Sequence, residues 1–194
     1  LPHRNHQEQF MGNGFVQPFC DTPLDEESVG ENVYLNIINK ARQYVYICTP
    51  YLIIDNEMMT ALCLAAKNGV DVRIMTPGTP DKKLVFLLTQ SYYRQLLENG
   101  VKIYEYQPGF LHAKTFVCDD EIAVVGTINL DYRSLYLHFE DGVWIYGNDV
   151  IWSMKEDFVQ TLEDCHTVPL EFCKNRKIPV RIMQNVLRAF APML

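Results

Sequence analysis

Residues 109–129 read GFLHAKTFVCDDEIAVVGTIN, two β-rich runs with polar side chains placed where a buried strand would be apolar. If the segment before the two aspartates is a strand, His112 and Lys114 lie two positions apart and point to the same face. The aspartates at 119–120 are turn-forming residues, and an apolar run returns after them. The stretch therefore predicts a β-hairpin that presents an imidazole beside an ammonium group.

Patterns on both sides of this hairpin alternate between strand and helix. The expected strands cover residues 15–20, 44–49, 70–75, 101–106 and 138–146, and the expected helices cover residues 30–42, 56–68, 81–99, 130–135, 148–165 and 179–190. Asn56 and Asp81 are expected to cap the second and third helices. Such alternation predicts an α/β fold with a mixed, mostly parallel β-sheet flanked by helices.

The composition suits a globular domain with a sizeable core. The chain has 194 residues, of which 48% are hydrophobic and 21% are charged. Its six cysteines show neither zinc-site spacing nor a Cys-x-x-Cys pair, which favours reduced and mostly buried thiols. No apolar run approaches the roughly 20 residues of a spanning helix, and no signal peptide is visible.

Charge is divided unevenly along the chain. Residues 1–173 contain 12 Lys and Arg against 24 Asp and Glu, a balance of −12, whereas residues 174–194 contain five basic residues and no acidic one. An acidic body counts against a nuclease, because phosphate contacts supply most non-specific affinity for nucleic acid. The basic tail also carries apolar residues at helical spacing. It predicts either an amphipathic helix on an anionic membrane or a core-packing helix with a few solvated arginines.

His112, Lys114 and Asn129 are residue types that phosphodiester chemistry needs. A histidine that attacks phosphorus must be neutral and oriented, and fixed cations and hydrogen-bond donors must offset the charge of the phosphodiester. His112 can attack or donate a proton, whereas Lys114 and the Asn129 amide can hold non-bridging oxygens. A His-x-Lys pair alone is a weak signal, because such pairs also occur on ordinary strands.

A longer pattern resembles the signature of the phospholipase D superfamily: His112-x-Lys114-x4-Asp119-x6-Gly126-Thr127-x-Asn129. Family members commonly have serine where Thr127 stands, and threonine keeps the hydroxyl. The resemblance makes Lys114, Thr127 and Asn129 phosphate-binding candidates. It also includes Asp119 in the site, although a turn position favours a supporting role that closes the hairpin through bonds from side chain to backbone.

Glu140 is a further candidate that the resemblance supplies. It lies at the distance where family members carry the carboxylate that hydrogen-bonds the catalytic histidine and fixes its tautomer. The catalytic candidates are therefore His112, Lys114, Asp119 and Glu140. No metal site and no cofactor are expected.

Further stretches look like the C-terminal half of bacterial cardiolipin synthases, and these are residues 47–53, 69–74, 104–114 and 129–134. This likeness implies a phospholipase D-like fold that forms one half of a two-motif pseudo-dimer. It also implies a division of the chain into a linker or arm at 1–14, a catalytic half-domain at 15–173 and a basic amphipathic segment at 174–194.

Two copies of the motif form one site in such enzymes, as the resemblance implies. This chain contains one copy, because its other histidines, at 3, 6, 138 and 166, lack a lysine two positions later. The start at Leu1 and the match to a C-terminal half favour loss of an N-terminal half. Pairing of two copies of this chain, as in the single-motif endonucleases of the superfamily, is the alternative.

The implied reaction transfers a phosphatidyl group between two phosphatidylglycerol molecules through a phosphohistidine and gives cardiolipin and glycerol. The first motif usually supplies the nucleophile, so His112 is expected to act as general acid and then as general base. The isolated fragment is expected to be inactive or weakly active.

The expected partners are phosphatidylglycerol, the missing half or a second copy of the chain, and an anionic membrane surface, but not nucleic acid. The parent protein is expected at the cytoplasmic face of the bacterial cell membrane, and the fragment is expected to be soluble. Two alternatives stay open. One is another phospholipase D-type hydrolase or nuclease acting as a homodimer, and the other is an inactive half that serves as an assembly or membrane-binding module.

Overall fold

The computed structural model describes residues 12–24 and 27–191, so most of the expected arm at 1–14 lies outside the described residues. The strands are β1 (Phe15–Asp21), β2 (Tyr44–Cys48), β3 (Leu52–Ile53), β4 (Asp71–Pro77), β5 (Lys102–Tyr106), β6 (Thr115–Cys118), β7 (Ile122–Gly126), β8 (Leu130–Asp131), β9 (Glu140–Tyr146) and β10 (Cys165–Thr167). The helices are α1 (Val29–Lys40), α2 (Asn56–Lys67), α3 (Lys83–Glu98), α4 (Tyr132–Tyr136), α5 (Val150–Thr161), α6 (Leu170–Lys174) and α7 (Ile178–Ala189).

Eight of these strands form one mixed sheet in the order β1-β9-β7-β6-β2-β4-β5-β10. Its centre is parallel, because β4 pairs in parallel with both β2 and β5 and helices connect these strands. The pairs β1/β9, β9/β7, β7/β6, β6/β2 and β5/β10 are antiparallel. The predicted α/β class with a mixed sheet and flanking helices is confirmed, and its parallel part is the three-stranded centre.

Alternate side chains of β2 enter two separate cores. Val45 and Ile47 join the larger core beneath α1, α2 and α3, whereas Tyr44 and Tyr46 join a smaller core beneath α5. Opposite faces of one strand carry these two sets because side chains alternate along a strand. Helices therefore cover both faces of the sheet, as an α/β sheet requires.

Two of the expected helix caps were assigned to the wrong residues. α2 is capped by Asp55, whose Oδ1 accepts a hydrogen bond of 2.8 Å from the Met58 backbone amide, so Asn56 is already helical. The N-cap position of α3 is Lys82, which forms no side-chain capping bond, and Asp81 lies one residue earlier, where its Oδ2 accepts a 2.6 Å bond from the Tyr51 hydroxyl. Two short elements, β10 and α6, lie where a helix end and an irregular segment were expected.

A two-stranded parallel sheet, β3 with β8, was not predicted. The buried Thr49 side chain holds it in place, since its hydroxyl donates to Tyr51 O at 2.8 Å and accepts from the Leu130 amide at 3.1 Å. Tyr34 adds a 3.0 Å bond from its hydroxyl to Ile128 O. These bonds fix residues 128–131 at the end of the main sheet, next to the segment that enters β6.

Glu31, Asp55 and Tyr136 form a polar cluster between α1, α2 and α4. The Tyr136 hydroxyl lies 2.6 Å from Glu31 Oε1 and 2.5 Å from Asp55 Oδ2, and Glu31 is 9% exposed. Burial, reinforced by the neighbouring Asp55, raises the pKa of Glu31 from 4.5 to about 7. Hydrogen bonds from its neighbours oppose the effect of burial and lower the pKa of Asp55. A proton is therefore held on the Glu31 side of the cluster.

This cluster predicts a pH-dependent stability. A carboxyl whose pKa is raised on folding stabilises the native state at low pH, and that contribution is lost as pH rises from about 4.5 through about 7. The free energy of unfolding should therefore decrease by on the order of 1 kcal/mol as the pH is raised from 5 to 8, and the urea midpoint should decrease with it. The lowered pKa of Asp55 acts below pH 4 and does not enter this window.

Replacement of Glu31 by glutamine should flatten this dependence, because an amide cannot take up the proton. Urea unfolding of wild type and Glu31→Gln at several pH values measures the difference. An equal slope in the two proteins would assign the pH dependence to other groups.

α6 and α7 complete the described fold by packing on α3. Gln184 of α7 is buried and donates from Nε2 to Leu87 O of α3 at 3.1 Å. Within the described ranges, no helix combines the length and the apolar character that crossing a bilayer requires.

Candidate functional site

The His-x-Lys pair precedes the hairpin instead of lying on it. β6 begins at Thr115, so His112 and Lys114 belong to the irregular segment that leads into the strand. The two side chains nevertheless meet, with Lys114 Nζ 3.1 Å from His112 Nδ1 and 2.7 Å from the His112 carbonyl oxygen. The expectation of strand positions was wrong, whereas the expected contact of imidazole and ammonium is confirmed.

Lys114 is buried while His112 is exposed. The Lys114 side chain is 8% exposed, and this burial lowers the pKa of its ammonium group. The carboxylates of Glu140 and Asp131 act in the opposite direction and favour the charged form. Lys114 is therefore a fixed cation that two acidic groups support, and it lies directly beside an imidazole that is open to an incoming group.

Glu140 begins β9 and is buried beside Thr127. The Thr127 hydroxyl donates to Glu140 Oε2, and it also accepts from the Asp141 amide at 3.0 Å. The other Glu140 oxygen, Oε1, lies 3.9 Å from His138 Nδ1. Among the hydrogen bonds that the described residues form, those of Glu140 run to Thr127 rather than to His112.

Position 126 of the motif requires glycine for a steric reason. A Cβ atom at this position would lie 2.2 Å from Asp141 O, on the neighbouring strand. β7 and β9 therefore approach closely at this point, and the approach sets Thr127 next to the start of β9. The hydroxyl of Thr127 is committed to Glu140, so any phosphate that binds it must compete with this carboxylate.

Asn129 directs its amide nitrogen into the protein. Nδ2 donates to Ser134 Oγ at 3.0 Å, and the Asn129 amide also hydrogen-bonds Asp131. Oδ1 is buried and has no hydrogen-bond partner in the described part of the chain. Because Oδ1 is enclosed and Nδ2 is already bonded, the Asn129 side chain would have to rotate before it could bond a phosphate oxygen or a ligand hydroxyl.

Asp131 and Ser134 also belong to this site, although the sequence predicted no role for either residue. Asp131 caps α4, since its Oδ1 accepts from the Ser134 amide at 2.8 Å. Burial raises the pKa of the Asp131 carboxyl. An aspartate directly before a helical turn is an N-cap signal, and this signal could have placed Asp131 at this junction from sequence.

A cavity of about 380 Å³ lies at this end of the sheet, and His112, Lys114 and Thr127 are not among its lining residues. Its lining includes the site candidates Asn129 and Glu140, the cap Asp131, and the side chains of Tyr51 and His138. Tyr51 follows β2 at the carboxyl end of a parallel strand, where ligands bind in open α/β sheets. His138 lacks a lysine two positions later and the sequence predicted no role for it, yet its ring faces Glu140.

Asp119 lies at the opposite end of β6, a strand of four residues that spans about 13 Å. Its Oδ2 accepts from the Arg42 amide at 2.7 Å, and its Oδ1 accepts from the Gln43 and Tyr44 amides at 2.9 Å each. The supporting role is thus seen, but these bonds join the hairpin to the α1–β2 connection and do not close the hairpin itself.

The hairpin turn closes through its own backbone. The Glu121 amide donates to Cys118 O at 3.0 Å, and both Asp119 and Asp120 have positive φ, 51° and 59°. Two consecutive positive φ angles define the turn type that matches strand twist in hairpins, and aspartate tolerates this conformation. The predicted turn at 119–120 is confirmed.

The arrangement can bind an anion and move a proton. A buried lysine cation, an exposed imidazole and a cavity with hydroxyl and amide groups are the parts that phosphoryl transfer uses. Within residues 12–24 and 27–191, no group of three or more His, Cys, Asp and Glu side chains is placed to hold a metal ion.

The fold and the motif together define a phospholipase D-like domain. The structure is similar to that of the phospholipase D family member Nuc from Salmonella typhimurium, with a TM-score of 0.68 and 18% identity over 79% of this chain and 97% of that chain. It is also similar to phosphatidylserine synthase from Haemophilus influenzae, with a TM-score of 0.71 and 17% identity over 92% of this chain and 45% of that chain.

Residues 34–162 match the family model described as "Cardiolipin synthase, PLD-like domain". The chain belongs to this family. It is 46% identical over 172 residues to a cardiolipin synthase of Clostridium perfringens and 39% identical over 185 residues to one of a Geobacillus species. An uncharacterized protein of Streptococcus mutans is 52% identical over 186 residues.

These alignments cover 89–96% of this chain but 36–40% of each relative. The chain therefore spans about two fifths of the length of the curated relatives that it matches.

Proposed function

We propose that this chain is the C-terminal catalytic half of a cardiolipin synthase. The observation that carries the proposal is the buried Lys114 ammonium 3.1 Å from an exposed His112 imidazole, in a chain that belongs to the cardiolipin synthase family. The substrates would be two phosphatidylglycerol molecules, and the products would be cardiolipin and glycerol.

The proposed reaction has two proton transfers at His112. In the first step, the histidine of a second motif attacks the phosphorus of one phosphatidylglycerol, and the bond from phosphorus to the glycerol oxygen breaks. His112, as an imidazolium, gives the leaving glycerol its proton. In the second step, His112 takes the proton from a glycerol hydroxyl of the other phosphatidylglycerol, whose oxygen attacks the phosphohistidine and breaks the phosphorus–nitrogen bond.

The imidazolium state sets a requirement at Nδ1. Both ring nitrogens of an imidazolium are donors, so Nδ1 must face an acceptor, whereas in this chain it faces the Lys114 ammonium. We propose that a carboxylate replaces Lys114 at Nδ1 in the assembled site. Glu140, whose charge already acts on Lys114, is the candidate within this chain.

Lys114 is the proposed phosphate-binding cation. Its 2.7 Å bond to the backbone carbonyl of His112 can hold it beside the imidazole when a carboxylate takes its place at Nδ1. Asn129 would bind a phosphate oxygen or a glycerol hydroxyl only after its side chain rotates, because Oδ1 is buried and Nδ2 donates to Ser134. Thr127 would act mainly by orienting Glu140.

A second motif is required because the described site contributes one His-x-Lys pair. We propose that an N-terminal half of the same enzyme supplies it, because the relatives are more than twice as long as this chain. A second copy of the chain is the alternative source. In either case the parent enzyme would act at the cytoplasmic face of the bacterial cell membrane, where its lipid substrates lie.

Product analysis tests the proposal. The full-length enzyme, incubated with phosphatidylglycerol, should release cardiolipin and glycerol in equal amounts, and this chain alone should be at least about 100-fold slower because one of the two histidines is absent. Phosphatidic acid as the main product would indicate a hydrolase. Cleavage of single-stranded DNA by the isolated chain, with a dimer seen in light scattering, would favour the homodimeric nuclease.

A further inference from the structure

The last helix of the described chain exposes its apolar side. Ile178, Ile182, Met183, Val186 and the following Phe190 are each 48–72% exposed. Four of these residues, 178, 182, 186 and 190, follow one another at four-residue steps and so lie on one side of α7. These five residues form what we term the α7 apolar face. An ordinary surface helix directs its apolar residues into the core, so an exposed apolar set of this size is unusual.

Polar residues of α7 make several of its contacts with the protein, while Leu187 and the following Ala191 pack against the main core. Gln184 is buried and bonds to Leu87 O, and the Arg188 guanidinium carbon lies 4.4 Å from the centre of the Tyr92 ring. Arg181 and Gln184 line the cavity between α7 and α3. Together these contacts hold α7 against α3 with the α7 apolar face outward.

The charged residues of the segment that carries the α7 apolar face are all positive. Residues 174–194 contain five basic side chains and no acidic one. Lys174, Lys177 and Arg181 are exposed near the beginning of the helix. Since residues 1–173 carry a balance of −12, this segment is the part of the chain that an anionic surface would attract.

The helix also ends at the candidate site. Ala191, one residue after the exposed Phe190, lines the same cavity as Asn129 and Glu140. A surface that covers the α7 apolar face would therefore lie at the rim of this cavity.

We infer that the α7 apolar face lies in the interface of an anionic lipid bilayer. An outward apolar face with basic residues beside it is the arrangement of helices that lie in the plane of a membrane surface. This inference rests on the proposed function, which gives the site a lipid substrate. Binding of the α7 apolar face to the bilayer would place the cavity next to the membrane that holds phosphatidylglycerol. It concerns binding alone and does not depend on which motif supplies the nucleophile.

Vesicle flotation with this chain tests the inference. The chain should float with vesicles of equal parts phosphatidylglycerol and phosphatidylcholine, and much less with pure phosphatidylcholine. The double substitution Ile182→Gln/Val186→Gln should weaken binding to the anionic vesicles at least about tenfold, because two exposed apolar side chains leave the interface. Both positions are exposed, so the fold should be kept, and circular dichroism and urea unfolding verify this.

The matched control is Leu64→Gln, which replaces an apolar residue of similar exposure, 51%, on α2. It should float like wild type. No binding of wild type to anionic vesicles, or equal binding of Ile182→Gln/Val186→Gln, would overturn the inference. A dimer in light scattering that Ile182→Gln/Val186→Gln dissociates would assign the face to a second copy of the chain and would also overturn it.

The outcome is separate from that for the proposed function. A chain with His112→Ala should float as wild type does, because His112 is not part of the α7 apolar face. Lipid binding without cardiolipin formation by the full-length enzyme would keep this inference and reject the proposed function. Cardiolipin formation by the full-length enzyme, with unchanged vesicle binding of Ile182→Gln/Val186→Gln, would keep the proposed function and reject this inference.

Discussion

Replacement of His112 by alanine in the full-length enzyme is expected to reduce cardiolipin formation about a thousandfold. A positioned general acid and base contributes about 10² to 10⁴ to a rate, and His112 is proposed to serve in both steps. The loss should appear in kcat more than in KM, because Lys114 keeps its bond to the backbone carbonyl of residue 112 and stays available to hold phosphate.

The fold should not change, because the His112 side chain is exposed and exposed substitutions usually alter stability by about 0.5 kcal/mol or less. His166→Ala is the matched control. It removes an exposed histidine from β10, at the edge of the sheet. Radiolabelled phosphatidylglycerol, with cardiolipin separated by thin-layer chromatography, gives the rates. Near wild-type activity of His112→Ala, or an equal loss in His166→Ala, would exclude the proposed role of His112.

The hairpin could be predicted because its determinants are local. Turn-forming aspartates, two β-rich runs and the His-x-Lys spacing all lie within residues 109–129. The one local error, the strand position of His112 and Lys114, arose because strand geometry was extended three residues too far toward the N-terminus. The Gly126 amide still donates to Lys114 O at 3.3 Å, but β6 itself begins at Thr115.

The remaining features of the site depend on residues far apart in the chain. The β3–β8 sheet needs the Thr49 hydroxyl to bond the Leu130 amide, 81 positions later. The electrostatic interaction of Lys114 with Glu140 and Asp131 likewise depends on how β8 and β9 are placed beside the segment before β6. Spacing along the chain carries no information about such bonds. Resemblance supplied Glu140, but the structure was needed to show that Thr127 is its hydrogen-bond donor.

The same limit applies to α7. Its sequence is amphipathic, which indicates that one side faces away from water, but periodicity cannot say which side packs on the protein. The buried Gln184 and the outward Ile182 decide the question only in three dimensions. The two alternatives for the basic tail therefore could not be separated from sequence.

Replacement of Asp119 by alanine should destabilise the fold by about 2 kcal/mol while it leaves the chemistry of the folded enzyme almost unchanged. The carboxylate accepts three backbone bonds of 2.7–2.9 Å, from residues 75 to 77 positions earlier, and its loss leaves those amides to solvent. Asp119→Asn, which retains one carbonyl oxygen, should lose about half as much. Urea unfolding followed by tryptophan fluorescence measures the difference.

Glu121→Ala is the matched control, because Glu121 is exposed in the same turn and its substitution should cost about 0.5 kcal/mol or less. The activity per folded molecule of full-length Asp119→Ala, assayed well below its unfolding temperature, should stay within about threefold of wild type, since β6 separates Asp119 from His112 by about 13 Å. A large loss of activity with unchanged stability would place Asp119 in the catalytic machinery. A large loss of stability without a loss of activity would explain why the motif includes an aspartate that lies away from the cavity. Asp119 fixes the connection before β2 to the hairpin, and the other end of this hairpin leads to His112 and Lys114.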